Sequence, residues 1–275
     1  MRLCLAGYGK MGKMIEKAAL ERGHQISLVI DPHTPDSQTI SGAAISRSFP
    51  PTTENAGNPD LFIEFTLPDT APENIKAAIG LGKPVLSGTT GWHDHLAEVS
   101  NAVEKAGTAL LWSSNFSLGV NLFYRIAAHA AQLMDPFAEY DLGGLEIHHN
   151  KKADYPSGTA RTLMEQVLAA MKRKTRVHWG GPPSELCKET ARGLPRDLIH
   201  FASLRQGSAP GVHSLFFDSP ADTIEITHTA RSREGFASGA IIAAEWLAGT
   251  ENNKARRGIF TMEDVLKDML PYERI

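Results

Sequence analysis

The sequence predicts an α/β protein: an N-terminal doubly wound parallel sheet and a second α+β domain that carries a mixed sheet. In the first half, short apolar runs typical of buried strands alternate with segments spaced for one buried helical face. In the second half, three strand candidates follow one another with little helix between them, which favours a mixed or antiparallel sheet. A chain of 275 residues can hold one large domain or two of ordinary size.

The predicted elements of the first half are bounded by glycines and by changes in apolar spacing. Met11, Met14, Ile15 and Ala18 share one face of the first helix, and Gly23 ends it. Strands are predicted at residues 3–6, 26–30, 61–66, 84–87 and 109–112, and helices at residues 10–22, 74–81 and 93–105.

The second half is interpreted in the same way. A helix opens near Ser157, and another spans residues 236–247. Residues 177–196 are rich in Gly, Pro and charge and are predicted to form a long loop. Strands are predicted at residues 142–149, 200–204, 212–218 and 223–230.

Composition narrows the class of protein. The formal net charge is only -3, so no long-range field favours a nucleic-acid or anionic membrane partner. The cysteines, Cys4 and Cys187, lie far apart, so neither a disulfide framework nor a zinc site is expected. No stretch approaches the roughly 20 apolar residues of a membrane span, and no signal peptide is expected. These features predict a cytoplasmic protein.

The first motif, Gly7-Tyr8-Gly9-Lys10-Met11-Gly12, matches G-x-G-x-x-G directly after a strand and at the start of a helix. In the Rossmann dinucleotide site, the first glycine allows the tight turn and the second lets the backbone approach a pyrophosphate. The third lets the helix pack closely on the strand. The pyrophosphate then meets unpaired N–H groups at the helix N-terminus. The motif therefore predicts a dinucleotide cofactor.

Asp31 follows the second predicted strand, about 20 residues past the motif, where an acid hydrogen-bonds the adenosine ribose. Asp31-Pro32 is also typical of a plain turn, but strand, glycines, helix, strand and acid in one register favour the dinucleotide site. Asp31 favours NADH because it repels a 2′-phosphate, and no Arg follows it. Lys10 and His33 can offset that charge, so NADH and NADPH both stay open.

The densest chemistry lies in residues 146–160, where His148, His149, Lys151 and Lys152 fall within five positions. If residues 146–149 are extended, the two histidines point to opposite faces and make a poor chelating pair, so no metal site is expected. The same alternation places Glu146 on the face of His148, where a carboxylate biases protonation of the imidazole.

A helix start follows this basic cluster. Ser157-Gly158-Thr159 precedes an apolar-periodic run, and Ser or Thr at a helix start caps it and leaves N–H groups that bind anions. A cationic cluster beside such an end suits a small substrate with carboxylates, and His or Lys can protonate it. A solvated basic turn with an ordinary cap explains the same residue types equally well.

The segment 146–160 resembles the signature E-x-H-H-x-x-K-x-D-x-P-S-G-T-A of the 4-hydroxy-tetrahydrodipicolinate (dihydrodipicolinate) reductase family, with every fixed position present. The similarity extends to the glycine motif and to residues 62–66, 88–91, 114–121 and 225–228. The first glycine loop is one residue shorter than in many members, and Tyr155 is bulky where small residues are usual.

The resemblance implies a role for each matching residue. His148 is implied as the catalytic histidine and Lys152 as the proton donor. Binding of the substrate's carboxylates is implied for His149, Ser157, Gly158 and Thr159. Binding of NADH or NADPH is implied for Gly7, Tyr8, Gly9, Lys10, Met11, Gly12, Asp31, Gly88, Thr89, Thr90, Ser113, Ser114, Asn115 and Phe116.

The resemblance also implies an architecture. A dinucleotide-binding domain of residues 1–115 is expected to be completed by residues 235–275, and residues 116–234 are expected to bind a small dicarboxylate substrate and form a homotetramer. The implied activity is reduction of the dihydrodipicolinate ring in lysine (diaminopimelate) biosynthesis. Two rivals stay open: a two-domain dehydrogenase for another small acid, and a non-catalytic nucleotide sensor.

Overall fold

The computed structural model describes residues 1–35, 39–49, 58–181, 194–249 and 255–270. The chain divides into two compact units, of which the first combines Met1–Leu118 with Glu234–Ile275 and the second is Gly119–Arg233. Both ends of the chain therefore belong to the first unit.

The elements below are numbered in chain order within the described residues. They are β1 (Arg2–Ala6), α1 (Lys10–Glu21), β2 (Gln25–Ile30), β3 (Ala44–Ser46), β4 (Leu61–Glu64), α2 (Ala71–Gly80), β5 (Val85–Ser87), α3 (Leu96–Ala106), β6 (Ala109–Trp112), α4 (Leu118–Met134), β7 (Asp141–His148), α5 (Gly158–Ala170), β8 (Arg176–Trp179), β9 (Leu198–Arg205), β10 (Val212–Asp218), β11 (Thr223–Thr229), α6 (Glu234–Ala248), β12 (Gly258–Phe260) and α7 (Met262–Met269). A 3-10 turn, His93–His95, leads into α3.

In the described part of the first unit, seven parallel strands form one sheet in the order β12-β6-β5-β4-β1-β2-β3. The run β3-β2-β1-β4-β5-β6 is the strand order of a dinucleotide-binding fold, whose ligand crevice opens where the order reverses, beside β1 and β4. Buried side chains of α1 and α6 form a core on one face, including Ile15 and Ile241. Those of α2 and α3, including Ile75 and Val103, form a separate core. The predicted doubly wound sheet is confirmed.

The second unit holds a mixed sheet of five described strands, in the order β11-β10-β7-β9-β8. β10 runs antiparallel to both β7 and β11, whereas β9 runs parallel to β7 and β8. Helices α4 and α5 contribute Phe123, Leu163 and Val167 to a core shared with Phe201 and Phe217 of the sheet. The predicted mixed sheet is confirmed, and β7 lies at its centre.

The prediction of one long loop at residues 177–196 is wrong at its start. β8 occupies Arg176–Trp179 and pairs with β9, and the ring of Trp179 packs on Phe201 with centroids 5.2 Å apart. The Gly and Pro residues that follow hid a short strand whose support comes from β9, more than 20 positions further along the chain. Within the predicted loop, residues 182–193, including Cys187, lie outside the described residues.

Besides β8, four elements, β3, α4, β12 and α7, have no counterpart among the predicted elements. β3 and β12 are three-residue strands at the two edges of the parallel sheet, too short to show a period in the sequence. Within the described residues, no helix is both long enough and apolar enough to cross a membrane.

Candidate functional site

The candidate substrate site in the second unit is built on the central strand β7. Glu146 has Ser203 of β9 as its partner on one side and His213 of β10 on the other. Two residues further along β7, on the same face, His148 has Arg205 of β9 as its partner. Because partners in register share a face of a sheet, these polar side chains converge on one side of β7.

Glu146 is fully buried and accepts hydrogen bonds from several groups. Its Oε1 accepts from Ser203 Oγ at 2.7 Å and from the Ser157 amide at 3.2 Å. His213 Nε2 lies 3.6 Å from Oε2, and Arg205 Nη2 lies 3.6 Å from Oε1. Burial raises the pKa of Glu146, but the nearby His213 imidazole and the hydrogen bonds from Ser157 and Ser203 outweigh it and lower the pKa overall. Glu146 is therefore a fixed buried anion.

His148 shares that buried environment. Its Nδ1 lies 3.5 Å from Glu146 Oε2, which is longer than a good hydrogen bond, and its ring meets the His213 ring edge-on at a centroid distance of 5.2 Å. Burial lowers the pKa of His148 to about 4; Glu146 opposes the shift, and His213, Lys152 and Arg205 add to it. The expected placement of Glu146 beside His148 is confirmed, but burial rather than the carboxylate dominates. His148 is neutral at pH 7.

Lys152 lies in the loop after β7. Its Nζ donates to both carboxylate oxygens of Asp154, at 2.7 and 2.9 Å, and this hydrogen bond is the main reason that the pKa of Asp154 is lowered. Arg205 holds the backbone of the same loop, because its Nη2 donates to the Asp154 carbonyl at 2.7 Å and its Nε to the Lys152 carbonyl at 3.3 Å. The ammonium group of Lys152 is thus carried on an anchored loop beside Glu146 and His148.

Ser157 is the N-cap of α5. Its Oγ accepts from the Ala160 amide at 3.1 Å and contacts His213 Nε2 at 3.2 Å, and the residue is buried. Gly158 and Thr159 occupy the first turn of the helix, where the amides point toward anions. Because the Ser157 amide also donates to Glu146, the start of α5 is tied to the buried network under His148.

His149 and Tyr155 flank this cluster. His149 follows β7, and its buried Nδ1 has no hydrogen-bond partner among the described residues. Tyr155 is half exposed. A Cβ on Gly180 would lie only 2.6 Å from the Tyr155 hydroxyl oxygen, so a glycine at position 180 leaves room for the tyrosine side chain.

One group of described residues has the composition of a metal site. Glu146, His148 and His213 are all buried, and one ligand atom of each lies within 4.8 Å of the others. The oxygens of Glu146 already accept from the Ser157 amide and Ser203 Oγ, and His213 contacts Ser157 Oγ, so we interpret the cluster as a hydrogen-bonded network. The sequence places only His148 and His149 side by side, and His213 joins Glu146 through strand pairing that the sequence does not display.

The candidate cofactor site in the first unit begins at the glycine loop between β1 and α1. Gly7 has φ +91°, and a Cβ there would lie 2.1 Å from the Phe65 carbonyl oxygen. A Cβ on Gly12 would lie 2.3 Å from the Gly7 oxygen, whereas one on Gly9 would meet nothing within 4 Å. Gly9 is the N-cap of α1, so open space lies where a pyrophosphate would approach the helix.

Other residues of the loop are placed differently. The Tyr8 ring is buried and its hydroxyl hydrogen-bonds Glu16, so Tyr8 presents its main chain rather than its side chain to the loop. Lys10 and Met11 form the first turn of α1, and Lys10 is exposed.

Asp31, directly after β2, closes the loop from the other side. Its Oδ2 accepts from the Tyr8 amide at 2.7 Å, and its Oδ1 accepts from the His33 and Thr34 amides at 2.8 and 3.0 Å. Burial raises the pKa of Asp31, but these amide hydrogen bonds outweigh it and lower the pKa overall. Asp31 is a fixed carboxylate, the group that a ribose diol needs as an acceptor.

A cleft of about 510 Å³ opens at this edge of the sheet. Leu67, two-thirds exposed, and Phe49 give it apolar surface suited to a planar base. Its described lining comes from the ends of four strands and the segments that follow them: Ala6, Gly7, Gly9, Ile30, Asp31, Pro32, His33, Arg47, Phe49, Phe65, Thr66, Leu67, Thr70 and Asn74. These residues fit the adenosine half of a dinucleotide.

The remaining predicted cofactor residues follow β5 and β6. Thr89 is buried and donates to Glu64 at 2.8 Å, and a Cβ on Gly88 would lie 2.1 Å from the Phe65 ring. Thr90 and Ser114 are exposed. Ser113 Oγ donates to the carbonyl of Asn115, and Phe116 is buried with its ring 6.0 Å from that of Phe65. They extend the row of loops at the carboxyl ends of the parallel strands.

Sequence reasoning missed the groups that support these sites: Ser203, Arg205 and His213 in the second unit, and Glu16, Arg47 and Glu64 in the first. Glu64 is buried at the end of β4 and accepts from Ser87 and Thr89, and Glu16 accepts from the amides of Ile40 and Ser41. A buried acid inside an apolar run, as in Leu61–Glu64, is the one local signal that could have found such a group.

The parallel sheet with its glycine loop defines a protein of the dinucleotide-binding α/β class that carries a second, mixed-sheet unit. Residues 1–116 match the family described as dihydrodipicolinate reductase, N-terminus, and residues 119–266 match dihydrodipicolinate reductase, C-terminus. The chain belongs to the dihydrodipicolinate reductase family, as the resemblance predicted.

Individual relatives support this assignment. The 4-hydroxy-tetrahydrodipicolinate reductase of Christiangramia forsetii is 36% identical over 98% of this chain and 99% of its own length. That of Lawsonia intracellularis is 33% identical, covering 96% and 98%. Among solved structures, a dipicolinate-bound dihydrodipicolinate reductase from Paenisporosarcina sp. TG-14 superposes with a TM-score of 0.68 at 23% identity, over 96% of this chain and 99% of that one. A probable dehydrogenase from Thermotoga maritima has a TM-score of 0.59 at 9% identity, covering 96% and 92%. These two structures support the fold.

Proposed function

We propose that this chain uses NADH or NADPH to reduce dihydrodipicolinate to tetrahydrodipicolinate in lysine (diaminopimelate) biosynthesis. Dihydrodipicolinate is the ring that forms when water leaves 4-hydroxy-tetrahydrodipicolinate. One observation carries the proposal: the family signature at residues 146–160 folds around a single buried carboxylate, Glu146, which supports His148 and the start of α5 together. The two curated relatives, matched over nearly their whole length, carry the name of this reductase.

The proposed substrate is a cyclic imine dicarboxylate, a dianion at neutral pH. Its carboxylates require donors, which His149, Ser157, Gly158 and Thr159 supply in this proposal through an imidazole, a hydroxyl and the first amides of α5. The dipicolinate bound to the Paenisporosarcina reductase is likewise a small ring that carries two carboxylates. The Lys152 ammonium adds positive charge to the same region.

The reaction adds one hydride and one proton to the ring, and a bound reduced nicotinamide supplies the hydride. In this proposal the proton on the neighbouring carbon comes from Lys152. His148 is a neutral imidazole at pH 7, and its remaining N–H is too weak an acid for this step. Asp154 holds the Lys152 ammonium group at 2.7 Å, and the neutral imidazole of His148 positions the ring by hydrogen bonding.

The first unit holds the cofactor in this proposal. Gly7, Gly9 and Gly12 shape the pyrophosphate approach, and Asp31 accepts from the ribose. Lys10 and the main chain of Tyr8 and Met11 complete the loop, while Gly88, Thr89, Thr90 and Ser113, Ser114, Asn115 and Phe116 lie further along the same sheet edge.

The test mixes the protein with freshly generated dihydrodipicolinate synthase product and either NADH or NADPH, then follows loss of the reduced-nicotinamide absorbance. Turnover with at least one cofactor is expected. A reductase for another small acid, or a nucleotide sensor without activity, would show no turnover with either. The homotetramer implied by the resemblance and the cytoplasmic location predicted from the composition belong to the same proposal. Light scattering of the purified protein measures the subunit number.

A further inference from the structure

Arg47 lies beside Asp31 although the two residues are 16 positions apart in the sequence. β2 and β3 pair in parallel with Ile30 opposite Ser46, and the Asp31 amide donates to the Ser46 carbonyl at 2.9 Å. The residues that directly follow the two strands are therefore Asp31 after β2 and Arg47 after β3. The pairing of the strands, rather than proximity in the sequence, brings the permanent cation of Arg47 next to Asp31.

The guanidinium group is held at the rim of the cofactor cleft. Arg47 Nη1 donates to the Pro32 carbonyl at 3.2 Å, and Pro32 follows Asp31 directly. Arg47, Asp31, Pro32 and His33 all line the cleft of about 510 Å³ that also contains Gly7 and Gly9. A guanidinium has five N–H donors in a planar fork, the geometry that best matches phosphate oxygens.

The position of Asp31 defines what Arg47 meets. An acid at the end of the second strand accepts from the adenosine ribose, so the 2′ substituent of the ribose lies next to it. In NADH that substituent is a hydroxyl, which suits the fixed Asp31 carboxylate. In NADPH it is a phosphate, which Asp31 repels and a neighbouring guanidinium attracts.

The other cations offered by the sequence are placed less well. Lys10 begins α1 and is not among the described residues that line the cleft. His33 does line the cleft, but an imidazole carries a positive charge only when it is protonated. Arg47 is the sole lysine or arginine among the described lining residues.

We propose that Arg47 forms a subsite for the 2′-phosphate of NADPH, so that this chain binds NADPH through Arg47 and NADH through Asp31. The inference rests on the proposed use of a nicotinamide dinucleotide by the first unit. The residues next to Asp31 in the sequence leave the choice between NADH and NADPH open, and Arg47 allows the chain to bind both.

The test measures binding rather than turnover. Titration calorimetry of the full chain compares NADH with NADPH, and 5′-AMP with adenosine 2′,5′-bisphosphate, which differs from it only by the 2′-phosphate. Arg47→Gln is expected to weaken the binding of NADPH and of the bisphosphate by about 10- to 100-fold, the range for losing hydrogen bonds to a charged group. The affinities for NADH and 5′-AMP are expected to change less than about 2-fold, since the 2′-hydroxyl of these ligands makes no ionic contact with Arg47.

Two further variants sharpen the result. Asp31→Asn keeps the size of the side chain and removes its charge. It is therefore expected to weaken the binding of NADH and strengthen the binding of NADPH. Lys10→Gln is expected to leave the ratio of NADPH to NADH affinity unchanged, whereas a fall in that ratio would assign the phosphate to Lys10 and overturn the inference.

The outcomes separate this inference from the function on which it rests. Binding of NADH and 5′-AMP without binding of NADPH or the bisphosphate overturns the subsite and leaves the reductase proposal standing, as does equal weakening of both cofactors by Arg47→Gln. Binding of none of the four ligands overturns both proposals.

Discussion

Lys152 and His148 are the two residues of the signature for which the resemblance implies a catalytic role, and the structure gives them different environments. His148 is buried beside Glu146 with its pKa lowered to about 4, whereas Lys152 keeps its ammonium group in contact with Asp154. A general acid must hold a proton at the working pH. We therefore assign proton donation to Lys152 and positioning to His148 in the proposed reaction.

The first residue-scale prediction tests this division. Lys152→Met removes the ammonium group but keeps most of the length of the side chain, so kcat is expected to fall by about 10²- to 10⁴-fold, the usual contribution of a general acid. Dissociation constants for NADH are expected to change little. Lys151→Met, at the exposed neighbouring position, is the matched control and is expected to keep kcat within about 2-fold. Equal kcat in the two variants would remove Lys152 from the mechanism.

The second residue-scale prediction concerns pH and follows from the lowered pKa of His148. In the unfolded chain, His148 is protonated near the ordinary histidine pKa of about 6.5. In the folded protein, it is protonated only when the pH approaches about 4. The contribution of His148 to stability is therefore complete above pH 6.5 and is lost as the pH falls from 6.5 toward 4.

Urea unfolding at pH 7.5 and pH 5 measures this effect. The free energy of unfolding lost on acidification is expected to be smaller in His148→Asn than in the parent protein. In an NMR titration, the midpoint of the chemical-shift change of the His148 ring is expected to lie more than one pH unit below 6.5. His95→Asn, which removes an exposed imidazole, is the control for loss of a histidine. A His148 titration near pH 6.5 would contradict the assignment of a neutral, buried ring.

At the scale of elements, local patterns predicted what local forces decide. β1 is a short apolar run that leads into the glycine loop. Gly7, Gly9 and Gly12 have roles that depend on their own backbone and immediate neighbours. The N-cap at Ser157 was also predictable, because a cap needs only its own hydroxyl and the amides of the next turn.

What the sequence could not predict depends on which strands pair and in what register. His213 and Ser203 face Glu146 because β10 and β9 flank β7, and Arg47 meets Asp31 because β3 pairs with β2. Each pairing joins residues between 16 and 67 positions apart, and a shift of one residue would turn the side chain to the other face. The supporting half of each site is therefore a property of the sheet.

At the scale of the whole molecule, the first unit is assembled from both ends of the chain. α6 comes from the C-terminal part, yet Ala240, Ile241, Ala244 and Leu247 are buried in the same core as residues of β1 and α1. The parallel sheet that carries the glycine loop thus depends on a helix that begins more than 200 residues later. Loss of packing in α6 is expected to weaken the proposed cofactor site without changing a residue that touches the cofactor.

The whole-molecule prediction uses Ile241, which is fully buried in that core. Ile241→Ala removes buried side-chain volume and is expected to destabilise the first unit by about 2–5 kcal/mol. Hydrogen exchange, which reports local opening, is expected to accelerate in peptides of β1 and β4 more than in peptides of β7 and β10. Leu81→Ala, at an exposed position of the same unit, is the control and is expected to stay within about 0.5 kcal/mol of the parent.

Adding cofactor gives the same experiment a functional readout. A ligand that binds only the folded state stabilises it by about 2.7 kcal/mol at 100 times its dissociation constant. NADH is therefore expected to slow exchange in β1 and β4 of Ile241→Ala back toward the parent rates, because the glycine loop that follows β1 holds the ligand in our proposal. Protection confined to β7 and β10 would place the nucleotide in the second unit and contradict the assignment of the cofactor site to the unit that α6 completes.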